Sequence, residues 1–198
     1  GNETADLTIG SITMAGGAFC YDRALNAMAN FAFTGNNLGA NANHVIDGKL
    51  PTITNVTSDK ADGTYGLGEE ITATATFSEA VTLSGGDFVI TMETGATDRD
   101  ITISAINAAT TAAGLYTVQA GDVSADLVAT TNASTTGAIK DAAGNSMDSF
   151  TYAANFATKS IVIETTPPEI TNITSDKANG TYGVDEAINV TVTFSEAV

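Results

Sequence analysis

The sequence lacks the residues on which most enzyme and nucleic-acid sites depend. It contains no Trp, one Cys, one His and three Pro, and Lys and Arg together number seven. The single Cys20 leaves no intramolecular disulfide, and the single His44 leaves no recurring Ser-His-Asp arrangement or histidine metal site. Acidic residues number 23, so the formal net charge is −16, which excludes general affinity for nucleic acid. We therefore expect neither an enzyme nor a nucleic-acid-binding protein.

Long apolar runs are also absent, so the sequence predicts no membrane span. No signal peptide is visible, because the sequence after Gly1 begins with polar residues. Hydrophobic residues make up 43% of the chain, which is enough for a core. The acidic excess has two interpretations. It keeps the surface soluble, or part of it gathers around divalent cations.

What the chain does contain is a repeat. Residues 51–81 read PTITNVTSDKADGTYGLGEEITATATFSEAV, and residues 168–198 read PEITNITSDKANGTYGVDEAINVTVTFSEAV, an offset of 117 residues. A period this long indicates tandem whole domains rather than a solenoid, whose units are roughly 20–50 residues long. Arrays of nearly identical domains usually provide reach, stiffness or surface coverage.

The start of the chain belongs to the same repeat. Asp22 aligns with Asp141 and Asn26 with Asn145, while HVIDGKLPTIT from His44 aligns with IVIETTPPEIT. We therefore expect the C-terminal part of one unit at 1–50, a complete unit at 51–166 and the N-terminal part of a third at 167–198. Two explanations for the partial units stay open. The chain is a fragment of a longer array, or neighbouring chains complete each other's domains.

Period-two alternation predicts β-strands throughout the unit. The clearest strand is Ile71–Phe77, and its second copy places Ile188, Val190, Val192 and Phe194 on the inward face. Further predicted strands are Ile53–Ser58, Asp87–Glu93, Arg99–Ile106, Leu115–Gln119, Ala125–Thr131 and Lys159–Glu164. About seven short strands separated by Gly, Asn and Asp turns predict an all-β fold, an immunoglobulin-like β-sandwich repeated in tandem.

Three motifs resemble the bacterial-type immunoglobulin-like repeats of prokaryotic surface-layer proteins and giant adhesins. They are the boundary segment ETTPPEIT, the block DGTYG followed by TFSEAV, and IKDAAGN before an apolar strand. The resemblance covers essentially the whole chain. It implies a secreted or cell-surface module, and it implies calcium near the domain junctions.

Calcium binds six to eight oxygen ligands, and the acidic turns supply such atoms. At the junction the candidates are Asp47 or Glu164 at a strand end, Asp141 and Asn145 in the DAAGN loop, and Asp59 and Asp62 in the next unit. A second candidate cluster is the loop 59–70, repeated from Asp176 onward. The alternative is that all of these are ordinary turn residues. Glu79 is read as an exposed strand-end acid, with calcium ligation as the minority interpretation.

The leading functional hypothesis is structural, namely a repeat module of an extracellular surface layer, stalk or filament that is stiffened by calcium. In this hypothesis the partners are neighbouring copies of the same protein, and the partial end units pair between chains. The alternative is a ligand-binding or spacer domain of a cell-surface adhesin, with a surface glycan or protein as receptor. A third reading, an accessory domain of an enzyme, needs a catalytic region outside this sequence.

Overall fold

Strands provide the regular structure of the described part of the chain. In the computed structural model the described residues are 3–4, 6–9, 11–12, 16, 20–28, 43–152 and 158–198. These residues contain no helix. Their strands are β1 Ile53–Ser58, β2 Gly63–Tyr65, β3 Glu70–Ser84, β4 Phe88–Glu93, β5 Arg99–Ile103, β6 Ala109–Thr117, β7 Val128–Ala129, β8 Ser134–Thr135, β9 Ala138–Lys140, β10 Ile161–Ile163, β11 Ile170–Ser175 and β12 Val190–Phe194. The all-β prediction is confirmed for these residues, while residues 29–42 of the first predicted unit lie outside them.

Two antiparallel sheets of four strands make up most of the segment 51–166. In the first sheet β3 lies between β1 and β6, and its C-terminal end also pairs with β9. In the second sheet β4 lies between β5 and β7 and also pairs with β8. A separate parallel pair joins β2 to β10, and an antiparallel hairpin joins β11 to β12.

The strand β3 is long because its sequence alternates between apolar and polar residues. Its buried side chains up to the middle of the strand are Ile71, Ala73, Ala75 and Phe77. Its register with β6 shifts between Thr76 and Val81, and Glu79 lies inside this irregularity. Such irregularities bend a strand and re-aim its side chains. Beyond the shift, Thr82 to Ser84 pair with β9 instead.

Side chains from both sheets form one buried cluster. The rings of Phe77, from the first sheet, and Phe88, from the second, lie 5.8 Å apart at an interplanar angle of 59°. This tilted arrangement is favoured for aromatic pairs. A Cβ atom at Gly114 of β6 would lie 2.3 Å from Cγ2 of Ile101 in β5, so the approach of these two strands requires glycine. The core therefore sits between the two sheets.

Most of the predicted strands are present, but their bounds differ. The prediction for β1 is confirmed residue for residue, and the predicted strand Leu115–Gln119 is wrong in extent, because β6 runs from Ala109 to Thr117. The predictions for β5, β7 and β10 were too long. The segment Gly63–Tyr65 was predicted as a turn and forms β2. Pairing with β10 explains this difference, since tertiary context overrides a local turn preference.

The hairpin of β11 and β12 repeats the hairpin of β1 and β3 at the level of single contacts. Ile170 faces Phe194 and Ser175 faces Val190, with the same register shift after the first residue that β1 shows against β3. The backbone N–H of Glu169 donates to Oγ of Ser195 (2.9 Å), as Thr52 does to Ser78 (3.0 Å). The sequence repeat therefore produces the same local geometry twice.

The burial of the two hairpins differs. The residues predicted to face inward in the second copy are exposed by 40 to 64%. They are Ile188, Val190, Val192 and Phe194. In the 51–166 segment the equivalent face of β3 is covered by the second sheet, whereas no described strand covers the face of β11 and β12. The prediction of an inward face is therefore wrong for this copy.

Candidate metal centre at the unit junction

The loop from Asp141 to Asn145 follows β9 and is closed by its own side chains. The backbone N–H of Asn145 donates to Oδ1 of Asp141, and Nδ2 of Asn145 donates to Oδ2, both at 2.8 Å. Gly144 adopts a φ of 92°, in the left-handed region that favours glycine. The loop therefore presents the Asp141 carboxylate in a fixed orientation.

Asp141 is held as an anion although it is buried. Burial raises the pKa of Asp141, but hydrogen bonds from the side chain and backbone of Asn145 and from the backbone of Gly144 outweigh this effect, so the pKa lies below its usual value. Only 8% of the residue is exposed. A buried anion that is satisfied mainly by neutral donors retains a full negative charge for any further partner.

Asp47 reaches this loop from the segment that precedes Pro51. Nδ2 of Asn145 also donates to the backbone carbonyl of Asp47 at 3.0 Å. The Asp47 carboxylate accepts the backbone N–H of Lys49 at 3.0 Å. The contact therefore joins the predicted first unit to the DAAGN loop of the second, across the predicted unit boundary.

Glu79 completes a group of three carboxylates with Asp47 and Asp141. One oxygen from each side chain lies within 4.8 Å of the others. Burial and the negative charges of Asp47 and Asp141 raise the pKa of Glu79, and Lys49 opposes this only in part. The group therefore carries more negative charge than its neighbours neutralise.

The donor set fits a hard divalent cation. Calcium–oxygen distances are about 2.3–2.6 Å, so oxygens on one ion lie up to roughly 5 Å apart. The three carboxylates satisfy this limit. Carboxylate and backbone oxygens suit calcium rather than a soft metal, and no His or Cys belongs to the group.

The other predicted ligands accept hydrogen bonds from backbone N–H groups elsewhere in the described residues. Asp59 accepts the N–H of Thr72 (2.9 Å), Asp62 accepts that of Ser160 (2.9 Å), and Glu164 accepts that of Thr166. Asp176 accepts the backbone and side-chain N–H groups of Asn189 at 3.0 and 2.8 Å. In the part of the chain that the structure describes, the only group of three or more potential ligands is that of Asp47.

Asp59 and Asp62 were grouped with Asp47 and Asp141 in the sequence prediction, and the structure separates them. Asp47 comes before β1 and Asp59 follows it, and a six-residue strand spans about 20 Å. Glu79 replaces them in the observed group. The sequence offers Glu79 and its repeat Glu196 as calcium ligands only in the minority interpretation, because recurrence does not distinguish Glu79 from the rest of the repeated block.

The loop Asp22–Asn26 of the first predicted unit reproduces the geometry of the DAAGN loop. The backbone N–H and Nδ2 of Asn26 donate to the two carboxylate oxygens of Asp22, both at 2.9 Å. Leu25 occupies the position of Gly144 with a φ of 66°, which is strained for a residue with a side chain. The loop type is therefore retained despite the change from DAAGN to DRALN.

A second buried carboxylate, Asp122, was not predicted from the sequence. Its Oδ1 accepts a hydrogen bond from Nε of Arg99 (2.9 Å) and lies 2.8 Å from Nη2 of the same residue. Its Oδ2 accepts hydrogen bonds from the Tyr116 hydroxyl (2.8 Å) and from the backbone N–H of Gln119 (2.9 Å). Only 1% of Asp122 is exposed. Burial raises the pKa of Asp122, but these bonds outweigh burial and hold it below its usual value.

Asp122 also anchors the end of the unit. Its backbone carbonyl accepts Oγ1 of Thr165 at 2.9 Å, two residues beyond β10. Every oxygen of this residue is therefore used inside the fold, which indicates a structural role rather than a ligand-binding one.

The comparisons with known proteins give no family for this chain. No family model, no curated protein and no solved structure matches it. The part of the chain that the structure describes contains no helix long and apolar enough to cross a membrane.

We predict that Asp122→Ala lowers the free energy of unfolding by about 3 kcal/mol, because it leaves a partly buried guanidinium unpaired. Tyr116→Phe should cost about 1 kcal/mol, the value of one hydrogen bond. Because the folded pKa of Asp122 is lowered, its contribution is present above the unfolded pKa and is lost as the pH falls through the folded value. Urea unfolding at neutral and acidic pH measures both effects.

The exposed Asp126→Ala is the matched control and should change stability by less than about 0.5 kcal/mol. Equal losses for Asp122→Ala and Asp126→Ala would contradict the structural role of Asp122.

Proposed function

We propose that this protein is a structural repeat module of an extracellular surface assembly, a layer, stalk or filament, built from immunoglobulin-like sandwiches in tandem. The observation that carries the proposal is the parallel pairing of β2 with β10. These strands lie near the two points where the chain enters and leaves the 51–166 unit. The module therefore transmits tension along the chain.

Two features of the fold support the immunoglobulin-like assignment. The two sheets share one core, the first sheet has the order β1, β3, β6, and β2 forms a separate parallel pair with β10. The first part of the unit thus supplies one strand, β1, to the first sheet and a second strand, β2, to the pair with β10, which suits a sandwich with Greek-key connections. The recurrence of the β1 and β3 hairpin in β11 and β12 supports tandem repetition.

Tension on the chain shears the β2–β10 pair. Once β1 has separated from β3, a pull from the N-terminal side draws β2 backward, and a pull from the C-terminal side draws β10 forward along the same axis. The backbone N–H of Gly63 donates to Ser160 (3.0 Å) and that of Glu164 donates to Tyr65 (3.1 Å), so both bonds are loaded together. The Asp62 carboxylate also accepts a hydrogen bond from the backbone N–H of Ser160, and Nζ of Lys159 donates one to the carbonyl of Lys60.

Calcium is part of the proposal. The group of Asp47, Glu79 and Asp141 lies where the first predicted unit meets the second. A cation there would neutralise the like charges and hold the two units together. Extracellular calcium modules bind at about 10⁻⁴–10⁻³ M, and an extracellular location fits both that affinity range and the large negative charge of the chain.

Neighbouring copies of the same module are the proposed partners. Among the described residues no helix is long and apolar enough to cross a membrane, and the charge of the chain disfavours nucleic acid. A cell-surface glycan or protein remains the partner that the adhesin alternative requires.

Single-molecule force spectroscopy tests the mechanical proposal. The chain is pulled between marker domains fused to its two ends. We expect one cooperative event with a contour-length gain of roughly 40 nm, the extension of about 110 residues. Gly63→Pro removes the N–H that bonds to Ser160 and should lower the unfolding force.

Gly63→Ala keeps that N–H, and its Cβ would meet nothing closer than the Tyr65 ring at 3.8 Å, so its force should match that of the parent chain. An unfolding force that Gly63→Pro leaves unchanged would overturn the shear mechanism.

Calorimetry tests the calcium proposal. Ten millimolar calcium, at roughly ten to a hundred times the expected dissociation constant, stabilises by about 1.4–2.7 kcal/mol. We expect the midpoint to rise by about 5 °C or more over chelator, and magnesium at equal ionic strength should not reproduce the rise. Glu79→Gln should abolish most of the shift, whereas the exposed Glu93→Gln should retain it. Equal shifts in both variants would exclude this group as the site.

A further inference from the structure

Strand β6, from Ala109 to Thr117, forms one edge of the first sheet. It lies inside the 51–166 unit, and among the described strands it pairs only with β3. With nine residues it is longer than the mean strand, whereas sheet edges are commonly kept short. The side of β6 that faces away from β3 is therefore a long open edge within the described part of the chain.

The register of the first sheet determines which backbone groups point to this edge. The N–H of Asp59 donates to the carbonyl of Thr72 (3.2 Å), so Thr72 and every second residue of β3 face β1. The N–H of Val118 donates to the carbonyl of Glu69 (2.9 Å), so Val118 and every second residue before it face β3. The residues of β6 whose N–H and carbonyl groups point away from the sheet are therefore Thr111, Ala113, Leu115 and Thr117.

These outward-facing backbone groups are accessible. All of the residues that carry them are exposed, and no hydrogen bond within the described residues uses their outward N–H or carbonyl groups. The opposite edge of the same sheet differs. Val56 of β1 also directs its backbone groups away from β3, but its exposed fraction is 0%. The accessible edge of this sheet is therefore the one on β6.

The edge of β6 lacks the features that normally prevent strands from pairing. Edge strands are commonly protected by charged side chains or by proline, and β5, the edge of the second sheet, carries Arg99 and Asp100. Residues 101–121, which include all of β6, contain no charged residue and no proline. The neighbouring positions on the outer face of β3 are also neutral, and they are Thr72, Thr74 and Thr76. The strip along β6 is therefore uncharged on a chain whose net charge is −16.

The charge of the chain favours one kind of partner for this strip. A cationic protein would be attracted to the carboxylates elsewhere on the surface rather than to a neutral edge. Two copies of this chain repel each other, and the strip is a surface on which they meet without bringing carboxylates together. An antiparallel contact between two such strips repeats the same residue pairs on both sides of a two-fold axis. A second copy is therefore the favoured occupant.

We propose that two copies of this protein pair side by side through their β6 strands, in antiparallel register about Gly114. Ala113 of each copy then lies opposite Leu115 of the other, and Thr111 lies opposite Thr117. In this register every outward-facing residue forms a hydrogen-bonded pair with an outward-facing residue of the second copy, and the two sheets become one continuous sheet. The cross-strand pairs also cover Leu115, of which 51% is exposed in one copy.

This contact deepens the structural role proposed above and rests on that role for its place in an assembly. The tandem repeat extends one chain along its length, whereas β6 would join neighbouring chains sideways. A single contact is weak, because one strand edge buries far less than the roughly 1,600 Å² of a standard interface. Chains that carry the edge once in each unit would make several contacts together, and linked contacts bind more tightly than a single one.

Sedimentation velocity of the full chain, from micromolar to millimolar concentration at physiological ionic strength, tests the proposal. The weight-average sedimentation coefficient should rise with concentration to that of a dimer and no further, because a two-fold contact is closed. Ala113→Pro removes an outward N–H and leaves the bonds to β3 intact, and edge strands accept proline at such positions. This variant should remain monomeric, whereas Ala113→Ser keeps the N–H and should associate like the parent chain.

A charge swap tests the register without removing a backbone donor. Around the two-fold axis the side chains at position 113 of the two copies are diagonal neighbours, roughly 7–8 Å apart. Ala113→Glu and Ala113→Lys should each stay monomeric alone, because like charges would be brought together, and the two variants should form a dimer when they are mixed. Thr102→Glu, at an exposed position of β5, is the control for added charge and should dimerise like the parent chain.

Hydrogen exchange locates the contact on the strand. When nine tenths of the chain is dimeric, the amides of Ala113 and Leu115 should exchange roughly tenfold more slowly than in the dilute chain. The amides of Gly114 and Tyr116 face β3 and should change little.

Three results would overturn the proposal. They are a parent chain that stays monomeric at every concentration, association that persists in Ala113→Pro, and a mixture of Ala113→Glu with Ala113→Lys that stays monomeric. These results leave the mechanical role untouched, because force spectroscopy stretches single chains.

Discussion

The parallel pairing of β2 with β10 is the interaction on which the rest of the unit depends. It joins the beginning of the 51–166 segment to its end, and it does so with strands of only three residues each. The antiparallel ladders of β3 could form without it, but the core would then lack its buried residues Ile161 and Ile163. In the proposed mechanical role, the same pair is the contact that tension along the chain would shear.

The acidic junction adds a different kind of constraint. Asn145 binds both the Asp141 carboxylate and the carbonyl of Asp47, so one amide connects the loop to the preceding segment. Glu79 enters because the register of β3 shifts beside it. The junction is therefore built from neutral donors around uncompensated charge, an arrangement that a bound cation would stabilise under our proposal. Asp122 shows the contrast, because Arg99 neutralises its charge and its oxygens are all used.

The sequence predicted the strands that alternate, such as β1 and the first half of β3, because burial on one face leaves a period-two pattern. It did not predict β2, since Asp62-Gly63 is a turn signal and only the distant β10 makes the segment a strand. The sequence favoured an exposed strand-end position for Glu79 for a similar reason, because the approach of Glu79 to Asp47 depends on the irregularity in β3. Asp122 carried no local signal, as Arg99 lies 23 residues away in sequence.

Native-state hydrogen exchange at low protein concentration measures this closure most directly, because the repeat supplies its own control. The amides of Gly63 and Glu164 donate across the β2–β10 pair, and those of Gly180 and Asp47 occupy the equivalent sequence positions with no partner strand among the described residues. We expect the first two amides to exchange only through unfolding of the unit and the second two to exchange rapidly. Exchange of Gly63 and Glu164 as fast as that of Gly180 would show that the pair does not close the unit and would contradict this account.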